Sequence, residues 1–355
     1  MKKIHLIFVS LLTLGILFSS CSKHRSNDVV PDNVKVKLSD AISVPDLDKK
    51  DLTLLDTISG RDLYQELRTL IFIGDFASDL IEGALQSIKL YNIDKPMQFS
   101  YISDDDNTAK SVIVSSNATF ENELWDYSLI ITNEQKQKGF ELFWNMNPLK
   151  VVAILNPGAY NVNVLLMRAA MIRVDYSESN PEYDRTMMIR IAQMDSITRK
   201  YMKSMKMFLG QNGSVIDFYG NTIHPSAYIM DPDHAGGLSW SFKGRNNTKL
   251  DIAVAKCALP PVTLPSAEMS TLWSTYAMDA VLQTDIEAVY VGATPGEIEP
   301  YLANARGLAY FSGPAGFVGS GSTLPEIDGF TNAFIDLTGL EPWAPDDVFR
   351  MSIGW

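Results

Sequence analysis

The sequence predicts an α+β fold, a long curved antiparallel sheet packed around or against a mostly apolar N-terminal helix, with a β-sandwich carrying helices at one end as the alternative. Three observations lead there. Apolar residues follow helical spacing through 59–92, alternation dominates 97–255, and the polar connections between alternating stretches are too short for crossover helices.

The chain opens with Lys2 and Lys3, an almost unbroken apolar run from Leu6 to Phe18, and the small residues Ser19 and Ser20 before Cys21. This is the pattern of a secretory leader, expected over 1–20, and the run is shorter than the roughly 20 residues a membrane-spanning helix needs. The stretch "LFSSCS" resembles a bacterial lipobox, with Phe18 where Leu is usual, which implies that Cys21 becomes the lipidated first residue of the mature chain. A soluble secreted protein with a chance cysteine after its cleavage site is the competing reading. Several acyl chains, at about 0.8 kcal/mol per buried CH₂, hold a chain durably on a membrane. Ser22 is compatible with outer-membrane sorting, so the expected location is the cell envelope, on either face of an outer membrane.

Residues 21–55 are polar, contain prolines and lack a steady hydrophobic period, and read as lipid anchor and flexible tether. A single domain is expected over 56–355. Its first helix, 59–92, is marked by Leu63, Leu67, Leu70 and Ile71, then by Phe76, Leu80, Ile81, Leu85 and Ile88, with Ser59 as cap and Gly74 as a candidate kink. Apolar residues on more than one face imply that other structure surrounds this helix.

The sheet is expected over 97–255. Met97, Phe99 and Tyr101 share a face, as do Trp125, Tyr127, Leu129 and Ile131, then Phe140, Leu142, Trp144 and Met146, then Leu149, Val151, Ala153 and Leu155. "SDDDNT", "NEQKQKG" and "NMNP" read as hairpin turns. Further pairs join "AMIRVDYSES" to "RTMMIRIAQM" through "NPEYD", and "GLSWSFKG" to "KLDIAVAK" through "RNN". A second helix is expected at "DSITRKYMKSMKMFLG", ending on Gly210, and a third at "SAEMSTLWSTYAMDAVL", with Ser266 as cap and Glu268 in its first turn. From 262 to 355 the chain reads as helical and irregular. The phrases "GFELFWNMNPLKVVAIL", "IRVDYSES" and "DFYGNTIHPSAYI" are similar to segments of uncharacterised bacterial cell-envelope lipoproteins; the resemblance implies an address and no activity.

Composition narrows the partners. The chain is 46% hydrophobic and 20% charged, which is globular, and its 30 basic residues face 42 acidic ones. No run of basic residues offsets that excess, so nucleic acid and anionic lipid head groups are poor partners. Cys21 and Cys257 are the only cysteines, and acylation of Cys21 leaves no intramolecular disulfide. Cys257 lies among apolar neighbours and reads as a buried structural thiol.

Recognisable chemistry is sparse. His24, His224 and His234 are the histidines beyond the leader, and Asp231, Asp233 and His234 in "MDPDHAGG" fit a turn better than any established ligand spacing, so neither metal nor cofactor is expected. "SDDDNT" lacks the order of a calcium loop, "GSGST" is no nucleophile elbow, and "GPAGFVGSG" lacks the lysine of a P-loop. Catalytic residues stay unassigned. Trp125, Tyr127 and Trp144 fit either core packing or a cavity between sheet and helix that takes an apolar ligand.

Three function classes follow. A lipid-anchored protein that binds a lipid, glycan or peptide comes first, a structural subunit of an envelope assembly second, and a glycan hydrolase using two carboxylates across a cleft third.

Overall fold

The computed structural model describes residues 30–31, 34–43, 60–89, 93, 95–164, 168–194, 202–224, 237–313 and 315–355. The leader, Cys21, His24 and the Asp231–Asp233–His234 cluster lie outside the described residues.

The chain enters the fold through 34–43, which end in the short helix α1 (Asp40–Ser43), and continues with α2 (Gly60–Lys89). Leu63, Leu67, Leu70, Ile71, Ile81 and Leu85 of α2 are buried, as the apolar spacing requires, and so is Tyr64 on a neighbouring stripe. Asp79, Gly83 and Gln86 form the exposed strip, at helical spacing. The helix runs unbroken past Gly74. That glycine serves close approach instead of a kink, because a β-carbon there would stand 2.6 Å from Met207 Cε.

Thirteen strands form one antiparallel sheet in sequence order. They are β1 (Met97–Ile102), β2 (Ala109–Phe120), β3 (Glu123–Thr132), β4 (Lys138–Met146), β5 (Leu149–Leu155), β6 (Met171–Ser177) and β7 (Arg185–Ala192), then β8 (Ser204–Asn212), β9 (Val215–His224), β10 (Leu238–Asn247), β11 (Ile252–Ala258), β12 (Leu308–Ser312) and β13 (Gly316–Gly321). Among the described residues β1 and β13 are not paired to each other, so the sheet is open. It curves round α2, which touches β5, β6 and β7 midway along and β13 at the far end. One buried cluster therefore joins α2 to inward residues of β2 through β13. Curling lets a twisted sheet cover several sides of a helix that is apolar on several sides.

Turn chemistry fixes the register. Glu121 and Asn122 both adopt positive φ (49° and 63°) in the two-residue β2–β3 hairpin, which matches the twist of the strands it joins. The turns expected at "SDDDNT" and "NEQKQKG" carry Asn107 and Lys136 in the same left-handed region.

The structure alters several sequence expectations. Residues 34–43, expected within the tether, belong to the fold, with Val34, Val36, Leu38, Ala41 and Ile42 buried against α2 and the last strands, while Ser59 and the rest of 44–59 lie outside the described residues. Lys35 Nζ reaches Asp75 at 3.2 Å and Asp79 at 2.6 Å, Asn246 Oδ1 accepts from the Ser39 amide, and Asp251 Oδ1 accepts from the Ala41 amide. Residues 204–210, expected to end a helix, form β8, because Met205, Met207 and Leu209 alternate inward and pair with β9. Arg245, Asn246 and Asn247 belong to β10, and the turn follows at 248–251.

The helix expected from Ser266 is divided. A 3₁₀ turn (Ser266–Thr271) precedes α4 (Met278–Val289), because Ala277 bridges to Ala258 and the Tyr276 carbonyl accepts from the Leu259 amide, which holds that stretch extended. Two short helices were introduced by proline at their first turns, α3 (Pro157–Tyr160) before β6 and α5 (Pro295–Leu302) after α4. The stretch expected to be irregular adds β12 and β13, and Phe317 of β13 stacks on Tyr64 at 5.8 Å. The chain then returns over the outer face of the sheet through α6 (Asn332–Ile335) and α7 (Pro345–Phe349).

Candidate functional site

On β6, β7 and β8 the core takes every second residue: Ile172 and Val174, Ile189 and Ile191, Met205 and Met207. The residues between them face outward. These are Arg173, Arg190 and Lys206, and they stand directly opposite one another across the sheet, Arg173 to Arg190 and Arg190 to Lys206. The row continues to Asn221 and Ser241, where Asn221 Nδ2 donates to Ser241 Oγ at 2.6 Å and the fully buried Asn221 Oδ1 has no partner among the described residues.

Two further segments make this row a groove of about 550 Å³. One wall is the β2–β3 hairpin, with Thr119, Phe120 and Glu121; the other is the C-terminal segment, with Asp347 and 351–355. The C-terminal wall is held by aromatic rings under lysine ammonium groups. Lys206 Nζ lies 4.0 Å from the Trp343 ring centre, Lys203 Nζ 5.0 Å from that of Phe349 and Lys138 Nζ 5.7 Å from that of Trp355. Val348 is buried against Ile223 and Val262 beneath it.

The three cations are unequally satisfied. Arg173 is saturated by a bidentate pair with Glu121 (Nη1–Oε1 2.5 Å, Nη2–Oε2 2.8 Å) and by Asp175. Arg190 gives one Nη1 bond of 2.8 Å to the same Asp175. Lys206 has no ion pair among the described residues, and burial together with the charge of Arg190 pulls its ammonium below the ordinary lysine value, with Asp347 opposing. The hydrogen bonds from Arg173 hold Glu121 below the usual carboxylate range.

The sequence-derived candidates fall elsewhere. Tyr127 and Trp144 stack at 5.4 Å on the inner face and belong to the core around α2. Trp125 does not share that face. Asn117, left-handed at φ 55°, interrupts β2 between the pairs Ser116–Tyr127 and Ala118–Trp125, and beyond it Trp125, Ala118 and Phe120 pack with Phe143 and Val152 in a separate cluster. Neither this groove nor the pocket at the β6–β7 turn, which is lined by polar groups such as Glu182, Asp184 and Arg185, touches these three residues. His224 is fully buried, with Nε2 3.1 Å from Thr222 Oγ1, and desolvation lowers its pKa to about 4. Burial raises the Cys257 thiol far above its ordinary value, which suits a structural thiol. No group of three metal-ligating side chains occurs among the described residues.

The outer groove is hard to read from the sequence because its residues come from five separate stretches. The signal for it is local: in "IRV", "IRI" and "MKM" a single basic residue sits between two core residues of a strand. Comparison with known proteins finds no match to this chain among family models, curated proteins or solved structures.

Proposed function

We propose that this is a lipid-anchored envelope protein, held to a membrane through Cys21, that binds a lipid, glycan or peptide ligand in the outer-face groove. The observation that carries the reading is the groove itself. The inner face of the sheet is filled by α2 in a continuous core, which leaves the outer face as the side with room for a ligand, and there a cavity of about 550 Å³ combines aromatic rings with polar donors. The hydrolase alternative gains little from this site, since a general acid needs a raised carboxyl pKa and Glu121 is lowered.

Two measurements test the proposal. Replacing Cys21 by Ala should abolish fatty-acid labelling and release the chain from membranes; membrane retention without label contradicts the anchor. Amide shifts during titration with a lipid, neutral glycan and peptide panel should move at Thr119 and 351–355 for at least one member. A panel that moves none of them contradicts the groove as a binding site.

A further inference from the structure

We infer that the ligand of this groove carries an oxyanion, a carboxylate or a phosphate, that seats between Arg190 and Lys206. The inference rests on the reading of the groove as a binding site. Like charges directly opposite on neighbouring strands destabilise a sheet. Along this row Asp175 relieves the Arg173–Arg190 pair by bonding both guanidinium groups. In the next pair, Arg190 and Lys206, no carboxylate among the described residues bonds both members, and Lys206 has no ion pair there. Asp347, on the facing wall, takes its hydrogen bond from Ser266 Oγ at 3.4 Å and makes none with Lys206.

Donor geometry agrees with the charge. Arg190 uses Nη1 on Asp175, and its Nε and Nη2 donate to no residue described. The Lys206 ammonium is held at 4.0 Å from the Trp343 ring, a contact that fixes its position and uses none of its N–H donors on an acceptor. A planar guanidinium edge beside an ammonium is the donor set that oxyanions take up as charge-assisted hydrogen bonds, and partial burial strengthens such bonds. The chain as a whole carries an acidic excess, so this pair, in which Lys206 has no ion-pair partner among the described residues, is a local cationic feature.

The test uses the full mature chain with lysine ε-carbons labelled, and three probes: glucuronate, glucose 6-phosphate and glucose. The Lys206 signal should shift with one or both charged sugars, which separates a carboxylate from a phosphate site, and should not respond to glucose. Lys206→Gln should weaken the charged probe about tenfold or more, Lys206→Arg should restore much of the binding, and Asp347→Asn should tighten it. Lys256→Gln, outside the groove, should change nothing, and equal thermal midpoints exclude misfolding as the cause. If neither charged sugar moves Lys206, or if Lys206→Gln and Asp347→Asn leave binding unchanged, the inference falls. A neutral lipid, glycan or peptide that still shifts 351–355 in that case leaves the groove standing as a binding site; silence from every ligand removes both.

Discussion

Gly74 of α2 faces Met207 of β8, so that a β-carbon on the glycine would lie 2.6 Å from Met207 Cε and 2.8 Å from Met205 Sδ. The atoms in the way are the ends of flexible thioether side chains, which can rotate aside. Gly74→Ala gains about 1 kcal/mol of helix propensity and spends it on that adjustment, so its unfolding midpoint in urea should stay within about 1 kcal/mol of wild type. Gly74→Leu cannot be absorbed and should cost about 1 to 3 kcal/mol. Equal stability of both variants would mean that helix and sheet are further apart than described.

Asp75 and His224 set opposing pH dependences in one window. Burial raises the Asp75 carboxyl to about 6, with Lys35 pulling the other way. Between about 4 and 6 the folded state then holds more protons than the unfolded chain, so this group makes stability fall as pH rises. His224, lowered to about 4 by burial, does the reverse: its unfolded form binds a proton below about 6.5 and the folded form does not, so stability falls as pH drops. Each group is worth roughly 3 kcal/mol across its window. Denaturant titrations from pH 4 to 7 should show Asp75→Asn gaining on wild type as pH rises, and His224→Gln gaining as pH falls. A pair of flat difference curves would contradict both burials.

Trp144 is fully buried and stacked on Tyr127. Trp144→Ala should therefore cost about 3 to 5 kcal/mol in equilibrium unfolding and leave ligand-induced shifts in the outer groove unchanged. A small stability loss with weakened binding would return the site to the inner face.

The fold was legible where one period dominated. Residues of α2 could be read from helical spacing because the helix is long, and β3 to β7 from alternation between hairpins of ordinary turn chemistry. The same alternation was present in "SMKMFLG", but Met and Lys favour helices in isolation, and pairing with β9 overrides that preference. β13 is masked in the sequence by Gly316, Gly319 and Gly321, and β12 by its five-residue length. Val34, Val36 and Leu38 alternate with Lys35 and Lys37, but so short a run inside a polar, proline-containing stretch is hard to tell from a tether. The groove was the least legible part. Arg173, Arg190 and Lys206 lie on three successive strands, and only register brings them into line.

Native mass spectrometry of the intact chain, released gently from the membranes of its own host, tests the central claim in one measurement. The expected spectrum holds a polypeptide beginning at Cys21 with acyl groups attached, carrying a second, non-covalent mass that leaves on mild activation. A chain without acyl groups would contradict the anchor, and an acylated chain with no bound mass at any activation energy would contradict its role as a binding protein.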